Sequence, residues 1–193
     1  MIIVVRHGRT ASNAAGLLLG HGDPPLDELG LRQAARVAEA VGPVDAVVSS
    51  PLHRARQTAA AFDLAGGEVS VDERFIELDY GDWDGLPLAD VAPEQWSAWR
   101  ADVDFAPPGG ESLRSLGRRV GVGLTDVAER WTGRNVVVVT HVSPVKAAMI
   151  WALGGDESMA WRAFVAPASI TRLDVSNGQR RLLSFNECGH LID

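Results

Sequence analysis

Two short apolar runs constrain what this chain can fold into more than any other feature. Residues 2–5 read IIVV and residues 136–139 read VVVV. Neither alternates with polar residues, so neither suits a sheet face that meets water. Each is far shorter than the roughly 20 apolar residues a helix needs to cross a bilayer. The setting left is a strand inside a sheet covered on both faces, as parallel strands are in layered α/β proteins.

The rest of the chain supplies the covering helices. Residues 27–41 predict a helix with Leu31, Ala34, Ala38 and Val41 on one face, Asp27 placed to cap it and Gly42-Pro43 to stop it. A short strand at 46–48 leads into a helix reaching about residue 62, with Ser50 as N-cap and Pro51 at its first position. Residues 69–71 read as a third strand, at an edge. A short helix is predicted over 93–100 and a long one over 112–131, where Leu113, Leu116, Val120, Leu124, Val127 and Trp131 share a face despite three internal glycines. Ser143-Pro144 reads as the cap of a helix to 153, and strands at 169–175 and 180–185 flank an Asn177-Gly178 hairpin turn. Strands alternating with helices predict a three-layer α/β/α domain with a mainly parallel central sheet. With no repeat or linker to divide it, residues 1–193 read as one domain.

Composition narrows the partners. Hydrophobic content of 46% and charged content of 22% are ordinary for a soluble globular protein. The first apolar run stops at Arg6 without a signal-peptide pattern, so a cytoplasmic location is expected. Cys188 is the only cysteine, which excludes an internal disulfide and a thiolate metal cluster. His21, His53 and His190 lack metal-ligand spacing, so no metal and no cofactor are expected. A net charge of −7 argues against nucleic acid or an anionic membrane as partner. Any bound anion must meet locally concentrated positive charge, and nearly all of that charge is arginine, with Lys146 the only lysine.

Ligands of open parallel sheets bind beyond the carboxyl ends of the strands. There, both apolar runs end on a histidine: His7 beside Arg6, and His141 after Thr140. Ser49-Ser50 holds the equivalent place after the 46–48 strand. One such histidine is most simply a loop residue; two in equivalent places, one beside an arginine, weaken that reading.

RHG at 6–8 resembles the signature of the histidine phosphatase superfamily, the phosphoglycerate mutase-like enzymes. The resemblance continues in order through RHGRTASN (6–13), GHGDPPLDELG (20–30), SSPLHRARQTA (49–59), FIELDYGDWDG (75–85), PPGGESL (107–113) and VVTHVSP (138–144). It implies the fold already expected and a metal-independent attack on a small phosphomonoester by His7, giving a phosphohistidine. A neutral imidazole suits that task because its ordinary pKa lies near neutrality. The resemblance makes Arg6 and Arg54 phosphate clamps, a role for which a guanidinium fork is well shaped. It makes His141 the stabiliser of the transferring group and Glu77 the proton donor, a role that burial near Phe75 or Trp83 would favour. Asp79, Asp82 and Asp84 rank below Glu77. On resemblance alone, Thr10 and Asn13 assist phosphate binding. Val142 offers a backbone N–H where relatives commonly have glycine, so its side chain occupies one edge of the pocket.

Three rival readings stand beside a phosphatase: a phosphoglycerate mutase, an α-ribazole phosphatase, and a non-catalytic phospholigand-binding module. Retention of both His7 and Glu77 speaks against the last. Residues 86–106 read as an active-site cover carrying Trp96, Trp99 and Phe105, whose rings serve either a substrate wall or plain packing. The cover is short, which favours water as the acceptor. Asp102 and Asp104, if they face the site, would favour a substrate with an uncharged or apolar remainder over phosphoglycerate. Oligomeric state stays open, a homodimer being one option.

Overall fold

The two valine-rich runs become neighbours at the centre of a sheet. The computed structural model describes residues 1–62, 64, 69–176 and 178–192. Its strands are β1 (Ile2–Arg6), β2 (Ala46–Ser49), β3 (Ser70–Val71), β4 (Val136–Thr140), β5 (Ile170–Ser176) and β6 (Gln179–Glu187). Its helices are α1 (Ala11–Ala14), α2 (Glu28–Val41), α3 (His53–Ala59), α4 (Pro93–Ala101), α5 (Leu113–Arg130) and α6 (Val142–Leu153). The strands lie in the order β3-β2-β4-β1-β5-β6. β3, β2, β4 and β1 run parallel, and β5 and β6 add an antiparallel hairpin at one edge. The expected α/β architecture with a mainly parallel sheet is thus present.

Every residue of β1 and β4 is buried. Ile2, Val4, Val136 and Val138 face one core with α5 and α6. Ile3, Val5, Val137 and Val139 face the other, against Val37 of α2 and Ala55 and Ala59 of α3. With apolar layers on both sides, neither strand has a polar face, which is why each run is unbroken. The register pairs Ile2 with Val136 and Arg6 with Thr140, so His7 and His141 leave the sheet side by side.

Several local expectations are corrected. α2 buries Gly30, Ala34 and Val37, while Leu31 is 50% exposed. The helix is turned so that Gly30 presses on the loop after β1, where an added Cβ would lie 2.0 Å from the Arg9 carbonyl oxygen. α3 does not begin at Ser50-Pro51 or reach residue 62: Leu52 occupies its N-cap and Ala59 ends it. His141, not Ser143, is the N-cap of α6, and no side chain caps that helix. α5 runs unbroken through its glycines, and at Gly123 a Cβ would sit 2.9 Å from the Phe75 ring, so the glycine lets that ring pack. β3 lacks Val69, and β6 runs on to Glu187. In the hairpin turn Gly178 has φ +72°, and Asn177 lies outside the described residues.

Residues 86–106 hold a 3-10 turn (Leu88–Asp90) and α4. Backbone bonds tie the start of this segment to Leu18: Gly85 donates to the Leu18 carbonyl and Leu18 donates to Leu86, both at 2.8 Å. The aromatic rings pack on one another. Trp99 lies 5.3 Å from Trp96, 5.6 Å from Trp83, 4.7 Å from Trp161 and 5.9 Å from Tyr80 between centroids.

Candidate active site

The His7 ring is set by the sheet and oriented by its own loop. Its backbone N–H donates to Thr140 at 2.9 Å, continuing the β1–β4 ladder by one residue. Nδ1 lies 2.6 Å from the Gly8 carbonyl oxygen. A carbonyl only accepts, so the ring proton is assigned to Nδ1 and the lone pair to Nε2. That nitrogen in turn accepts from Arg54 Nε at 3.2 Å. Burial, then Arg6, then Arg54 hold the imidazole well below its ordinary 6.5, so it is neutral at neutral pH. Gly8 donates to Thr58 Oγ1 at 3.0 Å and sits against α2, where a Cβ would fall 2.3 Å from the Gly30 carbonyl oxygen. Only glycine fits there.

Arg54 is 0% exposed and leaves α3 to grip the 20–22 loop. Its two terminal nitrogens donate to Gly22 at 2.6 Å and Gly20 at 2.7 Å. Asp84 holds the same loop by accepting from Gly20 and Gly22 at 2.8 and 2.7 Å. Arg6 donates through one terminal nitrogen to Val165 at 2.7 Å, while its buried Nε has no partner. Burial brings Arg6 down to about 10, still a cation at neutral pH. Two guanidinium groups therefore flank a neutral imidazole.

His141 stands edge-on to His7, with centroids 5.0 Å apart. Its Nε2 meets Ser50 Oγ at 2.7 Å, and its buried Nδ1 has no partner. Ser50 Oγ also accepts from Leu52 N–H at 3.3 Å and keeps its own proton to donate; assigned toward Nε2, that proton places the imidazole proton on Nδ1. Ser50 is therefore an orienting residue for His141 rather than a helix cap. Burial, then Arg54, keeps His141 well below 6.5. Orphaned buried donors are rare because each forfeits its hydration. Arg6 Nε and His141 Nδ1 are two such donors, and phosphoryl oxygens are acceptors suited to both.

Glu77 is 3% exposed and is the one buried carboxylate among the described residues. Its Oε1 accepts from Leu78 N–H at 2.7 Å and from Ser143 N–H, in the first turn of α6, at 3.1 Å. Arg119 of α5 fixes the segment that carries it. The guanidinium donates to the carbonyls of Arg74, Ile76 and Glu77 at 2.8, 2.7 and 2.9 Å, and is braced by Glu111 at 2.9 and 2.8 Å. Thr140 adds a bond from its hydroxyl to the Phe75 carbonyl at 2.5 Å. The neighbouring acids are otherwise placed: Asp84 holds the 20–22 loop, Asp79 accepts from Gly81 at 2.9 Å, and Asp82 is exposed.

The remaining expected residues fall around this centre. Thr10 and Asn13 form a reciprocal cap on α1, at 3.2 and 3.1 Å, which commits the Thr10 hydroxyl and the Asn13 side-chain oxygen locally. Val142 is the first residue of α6, beside Ser143. His21 is exposed and its Nε2 lies 3.1 Å from the Glu77 carbonyl oxygen. Asp102 and Asp104 lie at the surface, with Asp104 lining a cavity beside His21 and Asp79. Asp102 accepts from the Asp104 backbone at 2.8 Å, and Asp104 pairs with Arg114 at 2.6 Å. Sequence reasoning missed the orienting roles of Thr58 and Arg119, because no local pattern marks a side chain whose partners lie far along the chain. Ser50 did sit in a quoted motif, and its place after a strand was the available signal. Among the described residues, no three His, Cys, Asp or Glu side chains gather to hold a metal ion. No described helix is long and apolar enough to cross a membrane.

A neutral imidazole at the end of a central strand, two guanidinium groups, a second imidazole and one buried carboxyl define a class. The profile of the histidine phosphatase superfamily (branch 1) matches residues 2–188, and the chain belongs to that family. It is 36% identical to a bifunctional protein of Mycobacterium tuberculosis over 98% of this chain and 54% of that protein. The chain thus spans about half the length of those mycobacterial relatives. It is 34% identical to phosphoserine phosphatase 1 of Hydrogenobacter thermophilus, over 98% of this chain and 93% of that protein. A crystal structure of phosphoserine phosphatase from Entamoeba histolytica with 3-phosphoglyceric acid superposes with a TM-score of 0.92 at 28% identity, covering 99% of this chain and 98% of the other.

Proposed function

We propose that this chain hydrolyses a small phosphomonoester through a phosphohistidine on His7. The observation that carries the reading is the fixed tautomer of His7: Nδ1–H is held by the Gly8 carbonyl at 2.6 Å and Nε2 keeps its lone pair between two cations. That lone pair attacks phosphorus as the ester P–O bond breaks, and the Glu77 carboxyl gives its proton to the leaving oxygen. Arg6, Arg54 and Nδ1–H of His141 meet the charge on the phosphoryl oxygens. In the second step the Glu77 carboxylate takes a proton from water, the water oxygen attacks phosphorus, and the N–P bond breaks. Phosphate, neutral His7 and protonated Glu77 are restored. Nothing in the cycle calls for a metal ion or cofactor.

Water is the proposed acceptor, and a phosphoglycerate mutase, which returns the group to a sugar acid, is the rival. Two of the relatives named above are phosphoserine phosphatases, one of them holding 3-phosphoglyceric acid. These names favour hydrolysis and a phosphorylated acid over α-ribazole phosphate. The reason for expecting an uncharged remainder is weakened, since Asp104 is paired with Arg114 and Asp102 accepts from the Asp104 backbone.

The test is brief mixing with a 32P-labelled monoester in the presence of a chelator. An acid-labile, alkali-stable phosphoprotein should form, vanish as free phosphate appears, and be absent in His7→Ala. Near-normal turnover by His7→Ala would refute the mechanism. Isomerised phosphoglycerate with little free phosphate would make the chain a mutase.

A further inference from the structure

Lys146 is the only lysine in the chain, and it lies on α6 one turn beyond Val142 and Ser143. Residues three and four apart share a helix face, and helical side chains lean back toward the N-terminus. Lys146 therefore leans toward the end of α6 whose Ser143 N–H is bonded to Glu77. Its ammonium has no hydrogen bond and no ion pair among the described residues, although the side chain is half-buried. Two other arginines are committed elsewhere: Arg54 to Gly20 and Gly22, Arg119 to the 74–77 carbonyls and Glu111.

Resting on the phosphomonoesterase reading, we infer that Lys146 is a substrate-selecting residue that receives a carboxylate carried by the leaving alcohol. Three observations point the same way. The charges acting on Lys146 are Glu77, the larger, and Arg6. That agrees with its place on α6, one turn beyond Ser143, whose N–H is bonded to Glu77. Burial disfavours its charged form, and an arriving carboxylate would favour it. A half-buried ammonium without a partner gains more from an anion than one in open water. The aspartates that would have repelled such a group, Asp102 and Asp104, face solvent.

The experiment compares 3-phosphoglycerate with glycerol 3-phosphate, which has the same carbon skeleton and a hydroxymethyl in place of the carboxylate. The wild-type protein should prefer the acid by at least about tenfold in kcat/KM, the ratio expected for one charge-assisted hydrogen bond. Lys146→Met should lose most of that ratio, chiefly through KM of the acid, and Lys146→Arg should keep part of it. The wild-type comparison needs no variant, so a misfolded Lys146→Met leaves it standing. An acid-to-alcohol ratio near one in the wild type, or an equal loss on both substrates in Lys146→Met, would overturn the inference. The second result is what a lysine acting only on the charge of Glu77 would give. Hydrolysis of p-nitrophenyl phosphate tells the two failures apart. If it proceeds without a carboxylate preference, only the role of Lys146 falls; if neither it nor the esters are hydrolysed, the phosphomonoesterase reading falls as well.

Discussion

Acid should unfold this protein through the two histidines of its site. His7 and His141 are 2% and 0% exposed, and both are held neutral, first by burial and then by cationic neighbours. In the unfolded chain each imidazole returns to 6.5. Below that pH the unfolded state binds two protons that the folded state refuses. Stability therefore rises with pH through this window and is lost as pH falls below 6.5. Each histidine contributes a limiting slope of about 1.4 kcal/mol per pH unit, so the pair contributes about 2.7. Integrated from pH 7.5 to 5.0, the loss is about 2 kcal/mol per histidine and about 4 in total, against a usual whole-protein stability of about 5–15 kcal/mol. Asp72 and Asp156 are shifted down from 3.8, so their contributions are lost at more acid pH, outside this range. The assay is urea unfolding followed by circular dichroism at pH 7.5, 6.5, 5.5 and 5.0. His7→Gln and His141→Gln should each remove about half of the pH dependence, whatever they do to absolute stability. A stability constant to within about 1 kcal/mol from pH 7.5 to 5.0 would refute the reasoning. So would single variants that keep the full slope, because the folded imidazoles would then be taking up protons.

Glu77→Gln should slow hydrolysis of alkyl phosphates by about 100-fold or more, with little effect on p-nitrophenyl phosphate, whose leaving group needs no proton; equal loss on both would move the acid elsewhere. Gly30→Ala places a Cβ 2.0 Å from the Arg9 carbonyl oxygen and should cost about 1–3 kcal/mol in urea unfolding, while an unchanged midpoint would mean that the loop behind His7 yields.

What could be read from the sequence was the chemistry that short runs carry. The two valine-rich runs signalled central strands because burial on both faces removes the polar alternation. Their parallel register then placed His7 and His141 together without further information. What could not be read was any side chain with two local options and a distant third. Ser50 before Pro51 looks like a helix cap, yet its hydroxyl bonds His141, 91 residues away. Ser143 before Pro144 looks the same, and its backbone N–H bonds Glu77, 66 residues away. Periodicity places Leu31 on the buried face of α2 because it weighs bulk. The deciding contact was the backbone of Gly30 against the loop after β1, which a pattern of apolar residues does not register.

The same distinction runs through the site. The groups proposed to meet the phosphoryl group, His7 and His141, hang from adjacent strand ends, with one ring nitrogen of each fixed by Gly8 or Ser50. Little reorganisation is then needed when charge develops on the phosphoryl oxygens. Glu77, the proposed proton donor, sits instead on an irregular segment between β3 and α4. It is held in place by Arg119 from α5 and by backbone N–H groups of Leu78 and Ser143. A carboxyl held this way depends on packing between α5, α6 and the loop. Its position is therefore open to adjustment by changes on α5 or α6 that leave the two strand-end histidines untouched. Lys146 lies on α6 itself. Variation there can alter which leaving group is accepted without disturbing the attack on phosphorus, and one reaction centre can thereby serve different monoesters.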